Sequence, residues 1–172
     1  LKLIALAILL AVLLGGCAGP PPAGTPVTTA SASPSVTPSP APTPTPTVAA
    51  DASSVGAALK AKVQSITAVT TVTEELDTNK LLGRPGQYTS AAWIADAGAT
   101  PGATGIDGGA VVEVFATAAD LQTRSEYIQG VLKKMGPAFG TEWHHVKGTT
   151  LLRISGKLNP SVNDQYGAAF GS

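Results

Sequence analysis

Between Pro20 and Pro46 the chain places 10 of its 14 prolines in a background of Thr, Ser and Ala. Such a segment has few backbone donors for a ladder and little apolar side chain to bury, so it stays extended and polyproline-like. It divides the chain in three. Residues 1–16 precede it, residues 17–50 contain it, and 122 residues from Asp51 to Ser172 remain to fold. That is enough for one compact domain with a single core and too few for two ordinary ones. The charges divide the same way: Lys2 is the one charged residue among the first 50, and the other 21 lie beyond. Residues 51–172 hold 10 basic and 11 acidic side chains. A domain near −1 lacks the basic surface that replaces phosphate counterions, so nucleic acid is excluded as a partner, as is polybasic attachment to a membrane surface.

The N-terminal piece reads as an export signal. After Lys2, the twelve apolar residues Leu3 to Leu14 run without interruption. This matches the apolar core of a secretory signal and falls short of the roughly 20 residues a spanning helix needs. Leu14-Gly15-Gly16-Cys17 follows at its end. The four residues resemble the bacterial lipobox, in which a branched apolar residue and two small ones precede a cysteine that takes a diacylglycerol thioether and becomes the mature N-terminus. The competing reading, a lone cysteine at the end of a transmembrane helix, is disfavoured because the apolar stretch stops early and Pro20-Pro21-Pro22 follows.

The resemblance implies residues 1–16 as signal peptide, Cys17 as the lipidated residue, and the outer face of the cell membrane as location, with the bilayer as partner through the acylated cysteine. Two or more buried acyl chains anchor a protein stably where one does so only marginally. Cys17 is the only cysteine, so its acylation leaves no thiol for a disulfide, a nucleophile or a metal. Residues 18–50 are then a disordered tether reaching at most about 100 Å at roughly 3.1 Å per residue. Its composition suits an inert spacer and also a Thr/Ser/Pro stalk carrying O-linked sugars.

In the remaining domain three helices are expected. Ala52 to Ser65 spaces Val55, Leu59, Val63 and Ile66 along one face, with Ser53 or Ser54 as N-cap. Ala118 to Met135 has Thr117 as cap, Asp120 three residues on, an inner stripe of Leu121, Ile128, Leu132 and Met135, and Gly136-Pro137 as stop. Asn159-Pro160 opens a last helix with Val162, Tyr166 and Phe170 four apart. β-Branched and aromatic runs predict strands at Ile66–Thr73, Tyr88–Ala95, Ala110–Phe115, Glu142–Val146 and Thr149–Ser155. The last two flank a tight hairpin at Lys147-Gly148, and the Gly/Ala/Thr-rich run from Asp96 to Gly109 reads as a mobile loop. This order favours a two-layer α+β domain, helices on one face of a mainly antiparallel sheet of four or five strands.

Asn79 to Ser90, with Leu81-Leu82-Gly83-Arg84-Pro85-Gly86-Gln87-Tyr88 at its centre, Val112-Glu113-Val114-Phe115, and Leu151-Leu152-Arg153-Ile154-Ser155 together resemble a domain of exported lipoproteins of Gram-positive bacteria, especially actinobacteria. The likeness extends over roughly Val69 to Phe170. It implies location and a shared fold, and carries over no catalytic residue.

Searching the residues for chemistry gives little. A metal centre needs three or four converging ligands, and the adjacent His144 and His145 point to opposite faces of a strand. One is expected near the helical face and one in solvent, so no metal or other cofactor is implied. The serines lack a strand-turn-helix G-x-S-x-G setting. Glu74, Glu75 and Asp77 precede a turn, where acids are ordinarily solvated, and the glycines of Gly105 to Gly109 precede a strand, whereas a phosphate loop follows one.

The expected function is therefore a non-enzymatic binding or accessory domain that meets another envelope protein or a cell-wall component. The alternative is an envelope hydrolase, which a deep cleft lined by converging acids, or by His with Ser, would favour. The one defined polar surface is the turn Arg84-Pro85-Gly86-Gln87, which fits a type II turn with Gly at the positive-φ position. It makes Arg84, Gln87 and Tyr88 candidate partner contacts, unless Arg84 merely bonds a carbonyl or a carboxylate such as Asp77 and the turn is a connector.

Overall fold

The computed structural model describes residues 51–171. Three helices, α1 (Ala52–Lys60), α2 (Ala118–Met135) and α3 (Pro160–Gly171), accompany five strands, β1 (Ile66–Thr71), β2 (Tyr88–Asp96), β3 (Gly109–Phe115), β4 (Glu142–Lys147) and β5 (Thr150–Ser155). The strands form one sheet in the order β1-β2-β3-β5-β4, every neighbouring pair antiparallel. No helix among the described residues is long and apolar enough to cross a membrane.

Strand alternation sorts the side chains to two faces. Ala92, Ile94, Ala110, Val112, Val114, Leu152 and Ile154 share one of them, where they are buried with Ala52 and Leu59 of α1 and Tyr166 and Phe170 of α3. This main core is the α+β arrangement expected, an antiparallel sheet with a helical layer packed on one face. Asp96 ties the layers together: it accepts from Ser65 Oγ at 2.6 Å, from Tyr166 Oη at 3.0 Å and from the Gly98 amide at 2.8 Å.

The long helix α2 is set against the other face. There Leu121 joins Val72, Tyr88, Ala91, Phe115 and Leu151 in a smaller cluster. Its bounds are those expected, because the chain encodes both ends: Thr117 Oγ1 accepts from the Asp120 amide at 3.1 Å, and Gly136, at φ 78°, ends it. Leu121 and Ile128 of the expected stripe are buried, but Met135 is exposed. The helix turns little apolar surface inward, and much of its inner face is polar.

Elsewhere the expected bounds shift. α1 stops at Lys60 and is capped by Asp51, which accepts from the Ser53 amide, rather than by Ser53 or Ser54. Val63 and Ile66 are buried as expected, but Val63 follows the helix and Ile66 opens β1. The hairpin turn is Gly148-Thr149, since Lys147 pairs with Thr150. The run between Asp96 and Gly109 folds into turns and a short 3₁₀ segment, Gly105–Gly108, with Ala99 packed against the core.

Candidate functional site

Because α2 stands over β3, β5 and β4, a cleft of about 380 Å³ opens between it and the β2 side of the sheet. Alternation along β2, β3 and β5 turns Trp93, Val111, Glu113 and Arg153 into its floor. Arg124, Tyr127 and Ile128 of α2 form one wall, and Asp77 to Asn79 and Thr104 to Ile106 close the ends.

From the floor a chain of charges runs towards β4. Glu113, 2% exposed, accepts from Arg153 Nη1 at 2.9 Å and from Arg124 Nη2 and Nε at 3.4 and 3.5 Å. The other edge of Arg153 grips Glu142, Nε and Nη2 each 2.8 Å from a different carboxylate oxygen. This fork on a planar acid is the strong form of the ion pair. Glu142 Oε2 lies 3.1 Å from His144 Nε2, and His144 Nδ1 lies 2.7 Å from Ser125 Oγ on α2. A carboxylate only accepts, so Nε2 carries a proton, and in the neutral imidazole Nδ1 accepts from the serine hydroxyl. The Gln129 side-chain amide donates to the Glu142 carbonyl at 3.0 Å, a further tie between α2 and β4.

Burial works to raise the Glu142 carboxyl, but hydrogen bonds from His144 and Arg153 outweigh it and hold the group at about 2. Arg153 is likewise disfavoured as a cation by burial, and Glu142 and Glu113 more than compensate, raising it above its ordinary value. Two guanidinium groups face two carboxylates, so the network is balanced.

Ser125, His144 and Glu142 follow the order of a hydrolytic triad, with the two imidazole nitrogens exchanged. The convergence of Ser with His is the feature that would favour a hydrolase. The setting does not support one. Both oxygens of Glu142 are held by Arg153, which lessens what the carboxylate can lend to an imidazolium. Ser125 sits in mid-helix, where neighbouring amides serve the helix and are not free to form an oxyanion hole. Neither Ser125 nor His144 lines the cleft.

The residues singled out in the sequence do not assemble into one surface. Cys17 lies outside the described residues. The turn forms as expected, with Gly86 at φ 73° and the Gln87 amide donating to the Arg84 carbonyl at 3.0 Å. Arg84 is exposed and its Nε donates to the Lys80 carbonyl, while Gln87 is half-buried. Tyr88 is not a surface contact beside them: it is 2% exposed. Its hydroxyl donates to Asp77 Oδ1 at 2.7 Å, its ring meets Phe115 edge-on, and the Arg124 guanidinium stands 5.8 Å from its centre. Burial, with Asp77 beside it, raises the phenol well above its ordinary value.

Asp77 is not solvated either. It is buried and accepts from the amides of Asn79, Leu81 and Leu82 at 3.1, 2.7 and 2.8 Å. Burial works to raise it, but these bonds and that from Tyr88 prevail and its pKa is lowered. The histidines do part to opposite faces, His145 Nε2 lying 2.8 Å from Asn163 Oδ1 of α3. His144, however, is covered by α2 and does not face solvent. Among the described residues no three His, Cys, Asp or Glu side chains gather as a metal site would need.

Sequence reasoning missed Glu113, Arg124, Glu142 and Arg153 as a group. Its signal was a charge inside each of two apolar strands, Val-Val-Glu-Val-Phe and Leu-Leu-Arg-Ile-Ser, since such charges are buried only in pairs. Compared with family models, with curated proteins and with solved structures, the chain has no significant match to any.

Proposed function

We propose that this chain is a membrane-anchored lipoprotein of the bacterial envelope, held by acylated Cys17 and a proline-rich tether, whose domain is a binding module and not an enzyme. The lipobox-like Leu14 to Cys17 supports the anchor. The observation that carries the binding reading is the cleft itself. Its acids are engaged, Glu113 by two arginines and Asp77 by three amides and a phenol. Groups held this way orient a ligand well and exchange protons poorly. Changing Cys17 to Ala should abolish metabolic labelling with a fatty acid and leave the precursor unprocessed. Label retained in that variant refutes the anchor.

The second reading, an envelope hydrolase, has Ser125 and His144 at 2.7 Å in its favour. A fluorophosphonate probe, which marks serines activated by a neighbouring base, separates the two. Under the binding reading Ser125 stays unlabelled at neutral pH, and stoichiometric labelling abolished by Ser125→Ala establishes the hydrolase instead.

A further inference from the structure

We propose that the cleft between α2 and the sheet binds a neutral saccharide, an inference that rests on reading the cleft as a ligand site. Charge balance decides the ligand's class. An anion at Arg153 or Arg124 would stand beside Glu113, a carboxylate 2% exposed that already shares both guanidinium groups, and would add a second negative charge to them. A cation must enter beside two guanidinium groups and find Asp77 already accepting four hydrogen bonds. An uncharged ligand disturbs neither balance.

The polar groups that remain for it both donate and accept. Arg124 holds Glu113 at 3.4 and 3.5 Å, the outer limit of hydrogen bonding, so its donor edge can turn to a hydroxyl without losing a short bond. Thr78 and Asn79, exposed at one end, present a hydroxyl and an amide. Beside these lie two aromatic side chains, Trp93 from the floor and Tyr127 from α2, the latter 64% exposed. Rings whose flat faces carry C–H groups and whose rims carry hydroxyls match that combination, and a pyranose is such a ring. At about 380 Å³ the cleft falls within the usual size of small-molecule sites, roughly 300–1,000 Å³.

Trp93 provides a local reporter. The chain has one other tryptophan, Trp143, which packs against the opposite face of the sheet, so the full chain carrying Trp143→Phe fluoresces from the cleft alone. In a polyoxyethylene detergent, which has no sugar headgroup, it is titrated with tetrasaccharides of glucose, galactose, mannose and N-acetylglucosamine, and with trigalacturonate and benzoate as anionic probes. At least one neutral tetrasaccharide should change Trp93 emission saturably. Tyr127→Ala and Arg124→Gln should each raise its Kd tenfold or more, with Tyr127→Phe restoring binding. Saturation by an anionic probe alone overturns the saccharide and leaves the binding cleft standing. Silence towards every probe overturns both, and neutral binding indifferent to Tyr127→Ala and Arg124→Gln places the sugar elsewhere and overturns the inference.

Discussion

Arg153 is the residue on which most of the buried charge depends, since it serves Glu113 with one edge and Glu142 with the other. Among the described residues, replacing it with Ala leaves Glu113 only the long bonds from Arg124 and Glu142 only His144, and removing one partner of a buried pair costs about 3–5 kcal/mol. The denaturant midpoint should fall accordingly, and a loss under 1 kcal/mol would show that the network is a solvated one. The same residues set the acid limit of the fold. Glu142 drops from its ordinary 4.5 to about 2 on folding, so the unfolded chain binds the proton more readily. Its contribution is therefore complete above about pH 4.5 and is lost as pH falls towards 2, at most about 3 kcal/mol. Glu142→Gln should flatten the stability profile in that window, and an unchanged slope between pH 4.5 and 2 would assign acid unfolding to other groups.

Two helical glycines test how tightly the elements meet. Gly56 of α1 is buried, and a Cβ there would stand 2.7 Å from Val69 Cγ1 of β1. Valine is stiff about χ1, so the strand must move, and such overpacking costs about 1–3 kcal/mol against the roughly 1 kcal/mol alanine gains in a helix. Gly130 of α2 has nothing within 4 Å of the same position. Gly56→Ala should thus lower the melting temperature by a few degrees and Gly130→Ala raise it. Equal shifts of one sign in thermal melts would mean that α1 does not lie so close to β1. Legibility in the sequence follows the same distinction between local and distant. α2 was readable to the residue because Thr117, Asp120 and Gly136 mark its ends within its own span. α1 was overextended because Val63 and Ile66 keep its spacing after the chain has left the helix. The face that α2 would take was not readable, since it depends on Ser125, Gln129 and Arg124 finding Glu142, His144 and Glu113 across other elements, and so neither was the cleft. Arg153 meets Glu113 forty positions away, and no local pattern announces such a pair.

At the scale of the whole molecule, the main core draws on both ends of the domain, Ala52 of α1 and Phe170 of α3 lying in one buried cluster. Among the described residues that closure is complete within residues 51–171, and residues 51–172 contain no cysteine. Residues 51–172 should therefore unfold in one cooperative transition at the same temperature as the full chain, unaffected by a chelator or a thiol reductant, as domains below about 150 residues usually do. Deleting residues 159–172 should remove the transition, because Tyr166 and Phe170 leave the core and Asp96 loses a partner. A lower melting temperature for the isolated domain, or one that falls on adding chelator, would show that the fold relies on something outside it. If the transitions coincide, the fold of residues 51–172 is independent of residues 1–50, and a cleft built wholly from that fold keeps its shape when they are removed.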